Sequence, residues 1–97
     1  MPKPLLNYKF YAIGLDFERV PTLLTFLVYD ATSQLAAKRR LLKDEKHLRV
    51  LRKYSLGSKT VRFTPFVCDA TGAVRPEDAK REAQFRHTYA QQEPSYV

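Results

Sequence analysis

The sequence has few of the residues on which catalytic, metal-binding and phosphate-loop motifs depend. Its single cysteine, Cys68, excludes an intramolecular disulfide and suits a reducing compartment. His47 and His87 are 40 residues apart and have no cysteine or acid at ligand spacing, which argues against a metal site. The three glycines are isolated, so there is no glycine-rich phosphate loop. Nothing in the sequence therefore indicates an enzyme, a cofactor or a small-molecule substrate.

Long apolar runs are also missing. No segment reaches the roughly 18 apolar residues that a membrane-spanning helix needs. The longest candidate, residues 20–29, is too short and contains Pro21 and two threonines. We therefore expect no membrane partner.

Positive charge is what the chain has in excess. It contains 17 Lys and Arg against 10 Asp and Glu, a net charge of +7. Between Lys38 and Lys53 only Asp44 and Glu45 oppose a dense basic run. The members of this run are Lys38, Arg39, Arg40, Lys43, Lys46, Arg49, Arg52 and Lys53. Such a surface attracts polyanions, and arginine binds phosphate bidentately, so the run predicts RNA contact. The alternative is a solvated helix face.

Hydrophobic periodicity indicates two strands and a helix in the first half of the chain. Residues 7–17 show the alternation of a strand, and residues 22–29 are rich in β-branched and aromatic side chains. The second strand is nearly free of charge, which favours burial on both faces or a central place in the sheet. Residues 34–43 predict a helix, because they are good helix formers preceded by N-capping residues at 30–33.

The second half of the chain is less regular. Alternation in residues 48–55 predicts a further strand. Residues 60–67 have strand composition, but Pro65 limits them to a sheet edge or an extended arm. A turn at residues 69–72 and a polar helix from Pro76 to about residue 89 follow.

This order of elements predicts an α+β sandwich, an antiparallel sheet with one main helix packed on one face. We expect residues 1–57 to form the core and residues 58–97 an extension and tail. Tyr8, Phe10 and Tyr11 could stack on unpaired bases, but packing in the core is the better interpretation.

Three stretches resemble the bacterial-type small-subunit ribosomal protein S-six family in an organellar form. PLLNYKF at residues 4–10 is similar to that family's second strand, and LTFLVYDA at residues 24–31 to its third strand. LKDEKHLR at residues 42–49 is similar to the close of the second helix and the start of the last strand. The family's first strand and first helix have no counterpart here, and His47 stands where an aliphatic residue is usual.

The resemblance implies a ferredoxin-like sandwich, incomplete here, and a non-catalytic structural constituent of the mitochondrial ribosomal small subunit. It implies contact with ribosomal RNA and with neighbouring proteins, among them an S-eighteen-type partner. By position in the matching strands, it favours Lys9, Arg49 and Arg52 as RNA or partner contacts. Without the first strand the sheet has an exposed edge, which residues 60–67 or a neighbouring chain would cover.

A second function stays open from the sequence. The chain could be a small basic stand-alone module that binds an acidic protein, either in an interaction or as a regulator. That function predicts a folded monomer whose partner binding does not need RNA.

Overall fold

The structure is a computed structural model that describes residues 4–90. Within them the chain forms three strands and three helices. In chain order these are β1 (Leu6–Leu15), β2 (Pro21–Ala31), α1 (Gln34–Lys43), α2 (Glu45–Lys53), β3 (Thr64–Cys68) and α3 (Pro76–Ala90). The α+β class and the antiparallel sheet are thus confirmed. The last part of the expected tail, residues 91–97, lies outside the described residues.

The sheet has the order β2-β1-β3, with antiparallel pairing throughout. In its register, Phe10 is opposite Phe26, and Lys9 is opposite Phe66. The expectation that the second strand is central or buried on both faces was wrong, because β2 lies at an edge and its burial alternates. Its charge-free sequence was misleading, since Leu23 and Leu27 on the second face are only half-buried.

The predicted strand at residues 48–55 is wrong as well, because residues 48–53 belong to helix α2 and residues 54–55 to the turn that follows it. Asp44 interrupts the helical chain with an extended backbone (φ −81°, ψ 118°) and restarts it by accepting a hydrogen bond from the Lys46 N–H. Leu48 and Leu51, three residues apart, then face the core together. The part of the resemblance that placed a last strand here fails for the same reason.

Residues 64–68 pair with β1, so the segment expected at a sheet edge does enter the sheet. Pro65 is opposite Phe10, and a proline cannot donate to the ladder. Pairs alternate between bonded and non-bonded in antiparallel sheets. The odd-numbered residues of β1 therefore bond towards β3, and its even-numbered residues bond towards β2.

The same alternation defines the free edge of β2. Leu24 and Phe26 are opposite even-numbered residues of β1 and bond to them. Leu23, Thr25 and Leu27 therefore direct their N–H and C=O groups away from the sheet. No described strand pairs with this side of β2.

The core lies between the sheet and the helix pair α1–α2. Phe10 and Phe26 of the sheet pack with Leu41 of α1 and Leu51 of α2, and all four are buried. Phe63 adds edge-to-face ring contacts with both phenylalanines, at centroid distances of 5.7 and 6.0 Å. Burial of the aromatic residues of β1, among them Tyr8 and Tyr11, confirms that they pack in the core.

Helix α3 packs on the opposite face of the sheet. Glu82 accepts a 2.7 Å hydrogen bond from the Tyr11 hydroxyl and is 2.9 Å from the Lys9 ammonium. Phe85 packs on Tyr11 and on Phe66, with ring centroids 5.4 and 6.5 Å apart. A small polar cluster and three aromatic rings thus fix this helix to the sheet.

The expected boundary between residues 57 and 58 does not separate packed chain from extension. Val61, Phe66 and Cys68 all follow it and are all buried. In the described part of the chain, the second half therefore completes the core that the first half begins.

We expect Glu82→Gln to lower the free energy of unfolding at pH 7 by about 1–3 kcal/mol, because it leaves the half-buried Lys9 ammonium without its counterion. Burial acts to raise the pKa of Glu82, but the hydrogen bonds from Lys9 and Tyr11 outweigh burial and lower it. The stabilisation is therefore complete above the unfolded-state pKa near 4.5 and is lost as the pH falls through the lower folded-state pKa.

Chemical denaturation between pH 7 and pH 3 measures the free energy of unfolding of the wild-type protein and of Glu82→Gln. Glu77→Gln is the matched control, since Glu77 is exposed and lies 3.5 Å from Arg75, in a surface pair that contributes little. If both variants lose the same free energy of unfolding, the Lys9–Glu82 pair is not what holds α3 on the sheet.

Candidate nucleic-acid interface

Helix α2 presents a row of cations on the side that faces away from the sheet. Lys46, Arg49 and Lys53 follow one another at intervals of three and four residues, which places them on one side of the helix. All three side chains are exposed, and Arg49 is 76% exposed. At 1.5 Å per residue the row is about 10 Å long, so it can contact more than one phosphate of a nucleic-acid strand.

Helix α1 extends this basic surface less completely. Arg39 and Lys43 are exposed and four residues apart, so they share one side of the helix. Lys38 is half-buried. Arg40 caps the end of β2, because its guanidinium donates to the carbonyl oxygens of Tyr29 and Asp30 at 2.6 and 3.1 Å. Two of the four cations of α1 are thus fully available to a ligand.

One carboxylate offsets part of the charge on α2. Glu45 is 2.8 Å from Arg52 and 3.7 Å from Arg49. The hydrogen bond from Arg52, together with the charges of both arginines, lowers the pKa of Glu45, so it stays ionised. Because the whole cluster is exposed, a phosphate can compete with Glu45 for either guanidinium.

Lys9 does not lie on this surface. Its side chain is 13% exposed and forms an ion pair with Glu82 on the face of the sheet covered by α3. Burial acts to lower the pKa of Lys9, but the hydrogen bonds with Glu82 and Tyr11 raise it. Its charge is already neutralised inside the protein and is unavailable to phosphate.

Several exposed residues that no sequence pattern singles out lie outside the predicted basic run. Lys59 and Arg62 are exposed in the segment that follows α2. Phe17, at the tip of the β1–β2 turn, is 91% exposed. It lines a cleft together with Lys53 and Tyr54 at the C-terminal end of α2. No periodicity marks a phenylalanine in a turn as exposed, so this cleft has no signal in the sequence.

A close contact fixes the end of α2 against the sheet. The Leu15 N–H donates to the Tyr54 carbonyl at 2.8 Å. At Gly14, a β-carbon would lie 2.5 Å from the Tyr54 Cβ and 2.8 Å from its carbonyl oxygen. Only glycine therefore allows the helix end to approach β1 this closely, and the approach holds Lys53 and Tyr54 beside the turn.

Cys68 is buried, and burial raises the pKa of its thiol, which keeps it protonated. Among the described residues, no three potential metal ligands are grouped together. None of the helices that the structure describes is long and apolar enough to cross a bilayer.

Comparison with known proteins finds no matching family model, no similar curated protein and no similar solved structure. The candidate interface is therefore defined by its own geometry.

We expect Gly14→Ala to destabilise the fold by about 1–3 kcal/mol, because the added methyl group would overlap Tyr54 and push α2 away from β1. Thermal or chemical denaturation checks this. Gly57→Ala is the control, since its β-carbon would meet only the rotatable Thr60 hydroxyl at 3.0 Å. A Gly14→Ala variant as stable as the control would mean that the contact is looser than the structure indicates.

Proposed function

We propose that this chain is a non-catalytic RNA-binding protein that works within a larger ribonucleoprotein. Its RNA contact is the outer face of α2 together with the adjoining cations of α1. The observation that carries the proposal is the exposed row Lys46–Arg49–Lys53, which faces away from the core and is offset only in part by Glu45. Among the candidate contacts, Lys9 is paired with Glu82 and is left out of the proposal. The exposed cations that carry it are Arg39, Lys43, Lys46, Arg49, Arg52 and Lys53.

The mode of binding follows from the groups available. Lysine and arginine side chains on a helix surface contact phosphate oxygens, which position an RNA without reading its sequence. Each phosphate that is neutralised releases condensed counterions, so affinity should fall steeply with salt concentration. The N-terminus of α2 does not assist, because the Asp44 carboxylate already accepts its Lys46 N–H.

We further propose that the ribonucleoprotein is the mitochondrial ribosomal small subunit, with an S-eighteen-type protein among the neighbours. Two of the three resembling stretches support this, since residues 4–10 and 24–31 fall largely in strands β1 and β2, as the resemblance implies. The hairpin followed by a helix on one face also suits an incomplete ferredoxin-like sandwich. Against this stands the third stretch, which is helical and not the start of a strand.

The free edge of β2 supports an assembly role, and equally the alternative function as a protein-interaction module. This free edge begins at Pro21 and ends where Arg40 caps the carbonyls of Tyr29 and Asp30. Between these limits an uncharged edge carries unpaired backbone groups, which proteins normally cover or protect with charge. A strand from a neighbouring protein would complete the sheet by pairing with β2.

The double variant Arg49→Glu/Lys53→Glu tests the RNA surface. We expect it to weaken binding to a structured ribosomal RNA fragment by at least about tenfold. The slope of log affinity against log salt concentration should fall by about one for each phosphate that is no longer bound. Lys80→Glu/Arg86→Glu makes the same charge change on exposed positions of α3. Fluorescence anisotropy at several salt concentrations measures both. If RNA affinity falls equally in the two double variants, the loss reflects the net charge of the protein and not a binding surface on α2.

Sedimentation of the native complex, with and without ribonuclease, separates the two functions. The ribosomal function predicts that the protein migrates with a ribosomal small subunit and that ribonuclease abolishes this co-migration. Migration as a free species of 11.3 kDa, or in a complex indifferent to ribonuclease, favours the protein-interaction module.

Thr25→Pro tests the strand edge. The Thr25 N–H points away from β1, so we expect the substitution to leave the sheet intact while it prevents a neighbouring strand from pairing there. Circular dichroism checks the fold, and the fraction of the variant that enters the native complex measures the pairing. Thr25→Val, which keeps the N–H, is the control. Entry of the proline variant at the level of the control would show that no strand occupies this edge.

A further inference from the structure

Phe17 is the most exposed of the large apolar side chains that the structure describes, with 91% of its surface open to solvent. Its turn is well defined. The Asp16 carboxylate accepts hydrogen bonds from the N–H groups of Glu18 and Val20, at 2.8 and 2.9 Å, and Arg19 adopts a left-handed backbone (φ 63°). The backbone that carries Phe17 is therefore fixed by the turn, and its ring stays exposed, although such exposure costs free energy in an isolated protein.

Across from Phe17 lies the C-terminal end of α2. Phe17, Tyr54 and Lys53 line a cleft of about 410 Å³, with Asp16 and Thr22 completing its wall. Tyr54 is fixed through its carbonyl, which accepts from the Leu15 N–H at 2.8 Å. The Lys53 ammonium is 5.9 Å from the centroid of the Tyr54 ring. Two aromatic rings and a cation thus converge on one opening.

We propose that this cleft binds an unpaired nucleobase of the RNA held on α2, with the base stacked on Phe17 and Tyr54 and an adjacent phosphate bound by Lys53. The inference rests on the proposed RNA-binding function and adds a substrate class to it. A base stacks on aromatic side chains through its π face, whatever its identity. Lys53 belongs both to the cation row of α2 and to the cleft, so a strand that follows the row brings its next nucleotide to the rings.

The cleft also implies a preference between forms of RNA. Bases inside a duplex are stacked on one another and cannot enter a cleft between two side chains, whereas bases of loops and single strands can. The cation row should bind both forms, because it contacts phosphates. The cleft should favour single-stranded RNA alone.

Fluorescence anisotropy with a labelled single-stranded RNA and with a duplex of the same sequence tests this. We expect Phe17→Ala to weaken single-strand binding about fivefold or more. Duplex binding and the salt dependence should not change, because phenylalanine carries no charge. Leu35→Ala is the matched control, since Leu35 is also a large exposed apolar residue (56%) but lies at the start of α1. Circular dichroism confirms that both variants fold.

Phe17→Trp provides a second, direct readout. The chain has no tryptophan, so the new indole would be its only one. We expect single-stranded RNA to quench its fluorescence, as a stacked base does, and the variant to retain binding that Phe17→Ala loses.

The outcomes separate this inference from the function on which it rests. If the wild-type protein binds RNA while Phe17→Ala equals Leu35→Ala and the indole is not quenched, the base site is wrong and the RNA-binding function stands. If Phe17→Ala disrupts self-association or a protein complex and leaves single-strand affinity intact, the cleft takes a protein side chain and the base site is again overturned. If neither RNA binds the wild-type protein, both proposals fail.

Discussion

The central position of β1 is the constraint on which the rest of the structure depends. It is the only described strand that is paired on both sides, and helices cover both of its faces. Phe10 and its even-numbered neighbours pack under α1 and α2, while Lys9 and Tyr11 hold α3 through Glu82. Most of the length of β1 is therefore covered by its neighbours. The surfaces on which the proposals rest are all peripheral: the outer face of the helices, the free edge of β2 and the turn at Phe17.

Packing of the two helices explains why the basic run is presented to solvent. Leu41 of α1 and Leu51 of α2 occupy the core, and these apolar positions orient their helices. The outer side of α2 is then open, and the sequence fills it with Lys46, Arg49 and Lys53. The long stems of these side chains can cover apolar surface while their charges stay in water. The same burial that stabilises the fold thus concentrates positive charge on one side.

How much could be predicted from the sequence depended on whether a signal was local. Strands β1 and β2 and helices α1 and α3 carry periodicity or capping residues within their own lengths, and all four were predicted. Helix α2 was missed because the alternation from Leu48 to Ser55 fits a strand as well as a helix. The N-cap at Asp44 lies inside a run of charged residues and was not recognised as a helix start. The burial of Lys9 depends on Glu82 in α3, a partner far along the chain that no local pattern reveals.

The two ends of α2 differ in charge and in shape, which bears on the proposed RNA binding. Its N-terminal end is occupied by Asp44 and Glu45, whose charges suit the positive end of the helix dipole and would repel a phosphate there. Arg52 and Lys53 lie in the last turn, where a cation is stabilised by the dipole and where the cleft opens. In the proposed RNA-binding function, phosphates would therefore be held by the cations from Arg49 to Lys53 and not at the N-terminal end of α2. In the same proposal, a preference for an unpaired nucleotide would come from Phe17 and Tyr54, because lysines and arginines contact phosphates and do not distinguish a single strand from a duplex.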